Sequence, residues 1–379
     1  MIYRLLYTLL LERVDPELAH NFAARTVGLA SRLPLVTRTL ARLLAPRDPR
    51  LRVRAFGKEF RSPLGAAAGV DKDAAWFEGL GALGFGFVEI GTITAQPQPG
   101  NDGERLRRLS GEHALQNRMG FPNPGARAAA ERLVGNRGLT PVGVNIGRSK
   151  HADTAWATSD YRETARWLAC RADYVVLNVS SPNTAGLRAL QALAPLRELV
   201  SGVQAELEGQ DRAVPLLVKI APDLDDAEID AVADLAVELG IAGIVAVNTT
   251  TDAGVVRHPE QLLPTGGISG RPLKDRALAV LERLYDRVGD RVVLISVGGI
   301  ESADDVIKRV RAGATLVQAY TGFVYGGPLW PYRLNRDVAR ALRADGIVSL
   351  QSLVGVDRPL RRQRAAATPP AGVEPASRA

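Results

Sequence analysis

Eight short apolar runs, each ending in small or polar residues, constrain this 379-residue chain more than any other feature. They span 64–68, 85–90, 141–146, 174–177, 214–220, 242–247, 291–296 and 314–319. The runs are continuous rather than alternating, as in strands buried on both faces. Helix-length segments lie between them, such as 225–239 and 302–312, the second opening Ser-Ala-Asp-Asp with an N-cap and first-turn acids. Strands alternating with helices eight times predict an α/β fold, a closed parallel (β/α)8 or TIM barrel, over residues 46–345. Such barrels reach about 250 residues or more undivided, so the length needs no second large domain.

Residues 1–45 read as a small N-terminal helical extension. Ile2, Leu5, Leu6, Leu9 and Leu10 share one helix face. That segment is too short to span a bilayer, and Arg4 together with the lack of a small-residue cleavage site argues against a signal peptide. Asp15-Pro16-Glu17 starts a second helix, expected to run to about Ser31, and Pro34 starts a third through Leu44. Two readings stand side by side: a cap on the main domain, or a segment in contact with a membrane. Residues 46–49 read as a linker and 51–60 as a hairpin around Gly57. Residues 346–379, whose end is rich in Arg, Pro and Ala, are expected to form a disordered tail.

Net charge is +7, but its distribution matters more. Residues 1–54 carry ten Arg against four acids and residues 356–379 five against two, so the middle is close to neutral. Basic ends on a neutral body suit an anionic membrane surface, and no zinc-finger spacing or aromatic RNA-binding signature points to nucleic acid. One cysteine, Cys170, excludes an internal disulfide framework, and four scattered histidines give no metal-ligand spacing.

In a barrel of this kind the site forms from loops at the carboxyl ends of the strands. Those ends carry Gly69-Val70-Asp71-Lys72, Gly91-Thr92, Asn145, Asn178 to Asn183, Lys219, Asn248-Thr249, Gly298-Gly299 and Tyr320-Thr321-Gly322. The last two are glycine-rich and lead into helix starts, which is where barrels bind phosphate. With no metal ligands and no Gly-x-Gly-x-x-Gly after a strand, a phosphorylated cofactor held by the barrel itself is expected, flavin mononucleotide (FMN) first. Lys219 ends an apolar strand and needs an anionic partner, either a reduced flavin or a structural carboxylate. Asn117, Asn178, Asn183 and Asn248 offer donors and acceptors together, which complements a pyrimidine-like ring, and Lys72 is available for a carboxylate. The loop 178–186 contains neither His nor Cys, so a proton removed there must pass through Ser181, which then needs a water or a neighbouring acceptor.

At these residues the chain resembles the class 2 dihydroorotate dehydrogenases, membrane-associated, quinone-linked FMN enzymes of pyrimidine biosynthesis. The resemblance runs from Met1 to about Arg343 and rests on AAGVDKD (67–73), EIGTIT (89–94), NRMGF (117–121), NVSSPNTAGLR (178–188), VKIAPDL (218–224), NTT (248–250), TGGISGRPL (265–273), VGGI (297–300) and YTGF (320–323). It implies oxidation of dihydroorotate to orotate, with Ser181 as the base for the C5 proton and the C6 hydride going to flavin. Cofactor contacts are implied at Ala68, Gly69, Val70, Asp71, Lys72, Thr92, Asn145, Asn178, Lys219, Val247, Gly270, Gly299, Tyr320 and Thr321. Substrate contacts are implied at Lys72, Asn117, Arg118, Met119, Gly120, Phe121, Asn178, Asn183, Asn248 and Thr249, and quinone contacts at His20 and Arg108. It also implies a peripheral protein on the cytoplasmic face of the cell membrane. Val247 stands where Thr is common, a mild departure if only the backbone makes that contact. The alternatives are a cytosolic class 1-like enzyme, and a non-catalytic barrel that only binds phosphorylated ligands.

Overall fold

The computed structural model describes residues 2–134, 138, 140–210 and 212–359. Eight parallel strands close into a barrel: β1 Leu64–Ala66, β2 Phe87–Ile93, β3 Val142–Ile146, β4 Tyr174–Asn178, β5 Leu216–Ile220, β6 Gly243–Ala246, β7 Val293–Val297 and β8 Leu316–Ala319. Each strand pairs with its sequence neighbours, and β8 returns to β1. All eight expected strands are present, with ends shifted by a few residues. The largest shift is in β2, which continues past Ile90 because a bulge lets Gly91 and Ile93 pair with Asn145 and Ile146.

Large side chains fill the amino-terminal end of the barrel. Phe87, Tyr174, Val176, Leu217, Val245, Ile295 and Leu316 meet Phe60 of the hairpin Val53–Ala55/Lys58–Phe60, which plugs that end. Phe60 and Phe87 meet edge-to-face at 5.4 Å. Room for the rings comes from glycine: a Cβ at Gly65 would lie 2.3 Å from the Phe87 ring, and one at Gly143 2.1 Å from that of Tyr174. The outer faces of the strands pack against helices such as Asp226–Glu238, whose start is fixed by a capping box between Asp225 and Glu228.

Three helices precede the barrel, α1 Ile2–Leu9, α2 Pro16–Ser31 and α3 Pro34–Leu44, as the sequence predicts. Asp15 caps α2. The helix α2 lies against helix Phe77–Ala82, and Glu17 pairs with Arg105. The Tyr3 hydroxyl donates to Val324 O at 2.7 Å, tying α1 to the carboxyl end of the barrel. Yet Leu5, Leu9, Phe22 and Leu35 are 61%, 56%, 74% and 79% exposed, so the three helices turn much of their apolar surface away from the protein. Among the described residues no helix is long and apolar enough to cross a membrane.

The chain after the barrel corrects the expected boundary at 346. Leu350, Leu353 and Val354 are buried against the core, and Gln351 exchanges two 3.0 Å hydrogen bonds with the backbone of Arg54. Arg311 pairs with Asp357, and Arg358 with Asp286. Packed apolar groups repay the ordering of this stretch, which its Arg- and Pro-rich continuation obscured in the sequence. Residues 360–379 lie outside the described residues.

The plug gives the first prediction. Phe60→Ala should cost about 3–5 kcal/mol through lost burial and a residual cavity. A marked drop in thermal midpoint with the opposite rim still binding its ligands is the expected result of calorimetry combined with ligand titration.

Candidate active site

Above the aromatic layer the barrel interior turns polar. Glu89 of β2 is fully buried and accepts from Asn145 Nδ2 at 2.9 Å, Gln318 Nε2 at 2.6 Å and the Tyr174 hydroxyl at 3.4 Å. Lys219 Nζ lies 4.0 Å from Glu89 and forms no hydrogen bond among the described residues. Burial lowers the Lys219 pKa and Glu89 opposes that shift. Of the two partners open to Lys219, a carboxylate is therefore present, at the outer limit of ion pairing, and the ammonium's hydrogen bonds are left for a ligand.

Hydrogen bonds carry the order from Glu89 outwards. Because Asn145 donates to Glu89, its oxygen accepts from Thr92 Oγ1 at 2.6 Å and Asn178 Nδ2 at 3.2 Å. Asn178 Oδ1 in turn accepts from Asn248 Nδ2 at 3.2 Å, and the same amide donates to Ser180 Oγ at 3.0 Å. Across the mouth, Asn183 Nδ2 donates to Asn117 Oδ1 at 3.0 Å. The loop after β4 is clamped from outside by Arg188, which donates to Ser180 O and Thr249 O and pairs with Asp223. Ser181 is 5% exposed, and its Oγ accepts the Asn183 N–H at 3.3 Å. Among the described residues no carboxylate or imidazole bonds to Ser181.

A pocket open to solvent joins these groups. Ser181, Lys72, Asn117, Met119, Phe121, Asn178, Asn183, Asn248 and Thr249 line it, together with Ala68, Gly69, Thr92, Lys219, Val247, Gly270, Gly299, Tyr320 and Thr321. Five expected contacts stand elsewhere. Asn145 is buried one layer behind the wall, in the network just described. The Asp71 carboxylate accepts the backbone N–H groups of Asp73, Ala75 and Trp76, so it shapes the turn, and burial raises its pKa. Val70 belongs to the core, Arg118 reaches outward to Thr265 and Asp102, and Gly120 forms a positive-φ turn against Asn101. Sequence reasoning missed Glu89, Gln318 and Ser180. A lone acid inside the apolar run 85–90 was the available signal for Glu89, since a buried charge requires partners.

At the far end the pocket is walled by backbone. A Cβ at Gly299 would come within 2.6 Å of Lys274, one at Gly270 within 2.3 Å of His113 O, and one at Gly322 within 2.3 Å of Ile300 O. Closely packed glycine backbone beside the starts of two helices suits a phosphate, and the Thr249 hydroxyl and Gln318 Oε1 are buried without a partner among the described residues. The cradle and the unsatisfied polar atoms fit FMN. Among the described residues no group of three or more His, Cys, Asp or Glu is placed to hold a metal ion.

A closed parallel barrel with a polar, glycine-cradled pocket at the carboxyl ends of its strands defines a barrel enzyme. Residues 50–342 match the family described as dihydroorotate dehydrogenase, and the chain belongs to that family, in its quinone-dependent class of pyrimidine biosynthesis. It is 54% identical over 365 residues to the dihydroorotate dehydrogenase (quinone) of Thermobifida fusca, covering 94% of this chain and 97% of that one. It is 52% identical over 356 residues to that of Mycobacterium tuberculosis, covering 93% and 98%. The crystal structure of DHODH from Eimeria tenella in complex with ferulenol superposes with a TM-score of 0.80 at 36% identity, over 90% of this chain and 96% of that one. These matches set aside the class 1-like and non-catalytic alternatives.

Proposed function

We propose that the rim pocket oxidises dihydroorotate to orotate, with Ser181 taking the C5 proton, FMN in the glycine cradle and a membrane quinone as final acceptor. The observation that carries this is the convergence of Ser181, the asparagine set and Lys72 on the pocket whose other end is the glycine cradle. Bound there, FMN supplies the hydride acceptor for C6 and a route for electrons to the quinone. Gly270, Gly299 and Thr321 would hold its phosphate end, and Lys219, Thr92 and Asn178 its ring system. Asn117, Asn183 and Asn248 orient the substrate ring, and Lys72 takes the carboxylate. Withdrawal of the C5 proton leaves the electron pair that forms the C5–C6 double bond as the hydride departs. As Ser181 takes the C5 proton it passes its own hydroxyl proton to a water, and the Asn183 N–H at its Oγ stabilises the negative charge developing on that oxygen.

A second cavity, between α2 and the barrel, is lined by His20, Trp76 and Arg105 and shares Lys72, Met119 and Pro122 with the first. This is the proposed approach for quinone. Burial, then Lys72, pushes His20 down to about 3, so it meets the quinone neutral. Arg108 donates to Val14 O at 2.7 Å, which fixes the connection between α1 and α2. The outward apolar faces of α1 to α3, with exposed Arg25, Arg32, Arg38 and Arg42, favour attachment to an anionic leaflet on the cytoplasmic face, each basic residue adding about 1 kcal/mol.

Three outcomes test this assignment. Ser181→Ala should retain flavin while slowing its reduction by dihydroorotate about a hundredfold or more, as rapid mixing would show; near wild-type reduction would assign the proton to another group. Burial first, opposed by Asp73, pushes Lys72 down to about 8, so its cation is present below that pH and lost above it. Orotate affinity should therefore weaken above pH 8 by up to about tenfold per unit, and calorimetric titration of Lys72→Met should give a flat profile. Replacing both Leu5 and Leu9 with Glu should abolish sedimentation with anionic liposomes and lower quinone turnover while leaving reduction of a soluble dye unchanged; unchanged liposome binding would make the helices a cap.

A further inference from the structure

Behind the glycine cradle lies a cation that the proposed reaction does not use. Arg309, on helix Ala303–Arg311, is 2% exposed and is not part of the pocket wall. Its guanidinium donates to three neutral oxygens: Ser296 Oγ at 3.0 Å, Lys274 O at 2.7 Å and Gly298 O at 2.8 Å. Among the described residues no carboxylate comes within ion-pair distance of it, whereas the neighbouring cations are matched. Lys274 pairs with Asp305 at 2.9 Å and Glu301 at 3.7 Å, and Arg271 with Glu301 at 2.9 Å. Asp305, Asp275 and Glu282 act on Arg309 only through space, and burial brings it down to about 10, which leaves it charged at neutral pH.

A buried charge without a counter-charge is strongly disfavoured unless something else supplies one. The two carbonyls that Arg309 holds belong to the cradle: Gly298 lines the pocket, and the Lys274 backbone abuts Gly299. Tied to Arg309 outside the pocket, their negative ends are kept from facing an anion inside it. We infer that Arg309 is the built-in counter-charge for the ligand's phosphate, a positioning residue that acts through the Gly298 and Lys274 backbones without touching the ligand. The unmatched cation and the anion then compensate each other across one layer of backbone, in surroundings where charge is poorly screened.

This rests on the proposal that the pocket holds FMN, and riboflavin, which lacks only the phosphate, separates the two ideas. Equilibrium binding of FMN and of riboflavin to flavin-depleted protein can be followed by flavin fluorescence. Arg309→Gln, which keeps an amide donor but no charge, should lower the preference for FMN over riboflavin about tenfold, the scale of one charge-assisted contact, while riboflavin affinity changes little. Arg309→Lys should keep that preference. Equal weakening toward both flavins in Arg309→Gln, an unchanged preference, or the same loss in both variants overturns the inference alone. Should the Gln variant fail to fold, the Lys variant decides: a retained preference supports the inference and a lost one overturns it. Wild-type protein that binds neither flavin overturns the FMN assignment as well.

Discussion

The carboxylate of Glu89 sits where no water reaches it, and the upper half of the barrel is arranged to satisfy it. A carboxylate accepts only, so Asn145 and Gln318 must both present their amide nitrogens to it. That choice fixes which way the Asn145 oxygen points, which fixes Thr92 and Asn178, and through Asn178 the positions of Asn248 and Ser180. The loop after β4 is thus set by a chain of hydrogen bonds whose polarity originates in one buried carboxylate. Lys219 completes the balance at 4.0 Å, close enough to offset the carboxylate and far enough to keep its donors for a ligand.

Two ends of one barrel do different work for a physical reason. The amino-terminal end is filled by interlocking rings, whose contribution is area removed from water. At the carboxyl end side chains are replaced by glycine backbone and amides, which forgo packing to leave room and polarity for ligands. Arg309 belongs to this second logic: its charge is placed behind the wall, where it biases the site without occupying it.

The N-terminal helices follow neither pattern. They are tied to the barrel by a few polar contacts, such as Tyr3 with Val324 and Glu17 with Arg105, while their leucines face outward. That exposed apolar surface is the observation on which the proposed membrane attachment rests. The cavity beneath α2 and the rim pocket share Lys72, Met119 and Pro122 in their walls, so the two lie side by side.

Local sequence signals alone determined the eight strands, the three leading helices and the hairpin, because burial on both faces, helix capping and turn residues leave local marks. Strand-end position alone likewise located most of the rim, from Gly69 and Lys72 to Tyr320 and Thr321. Tertiary structure decided which of those residues face inward. Asn145 and Asp71 turn into hydrogen-bond networks, and Arg118 turns outward, because a side chain's direction depends on partners distant in the sequence. The same holds for the ordered stretch through Arg358, whose apolar residues find cover only against the assembled barrel. Glu89 and Arg309 show the limit most clearly: the sequence contains both charges, but the two amide donors around Glu89 and the lack, among the described residues, of a carboxylate within ion-pair distance of Arg309 arise only once the strands have closed.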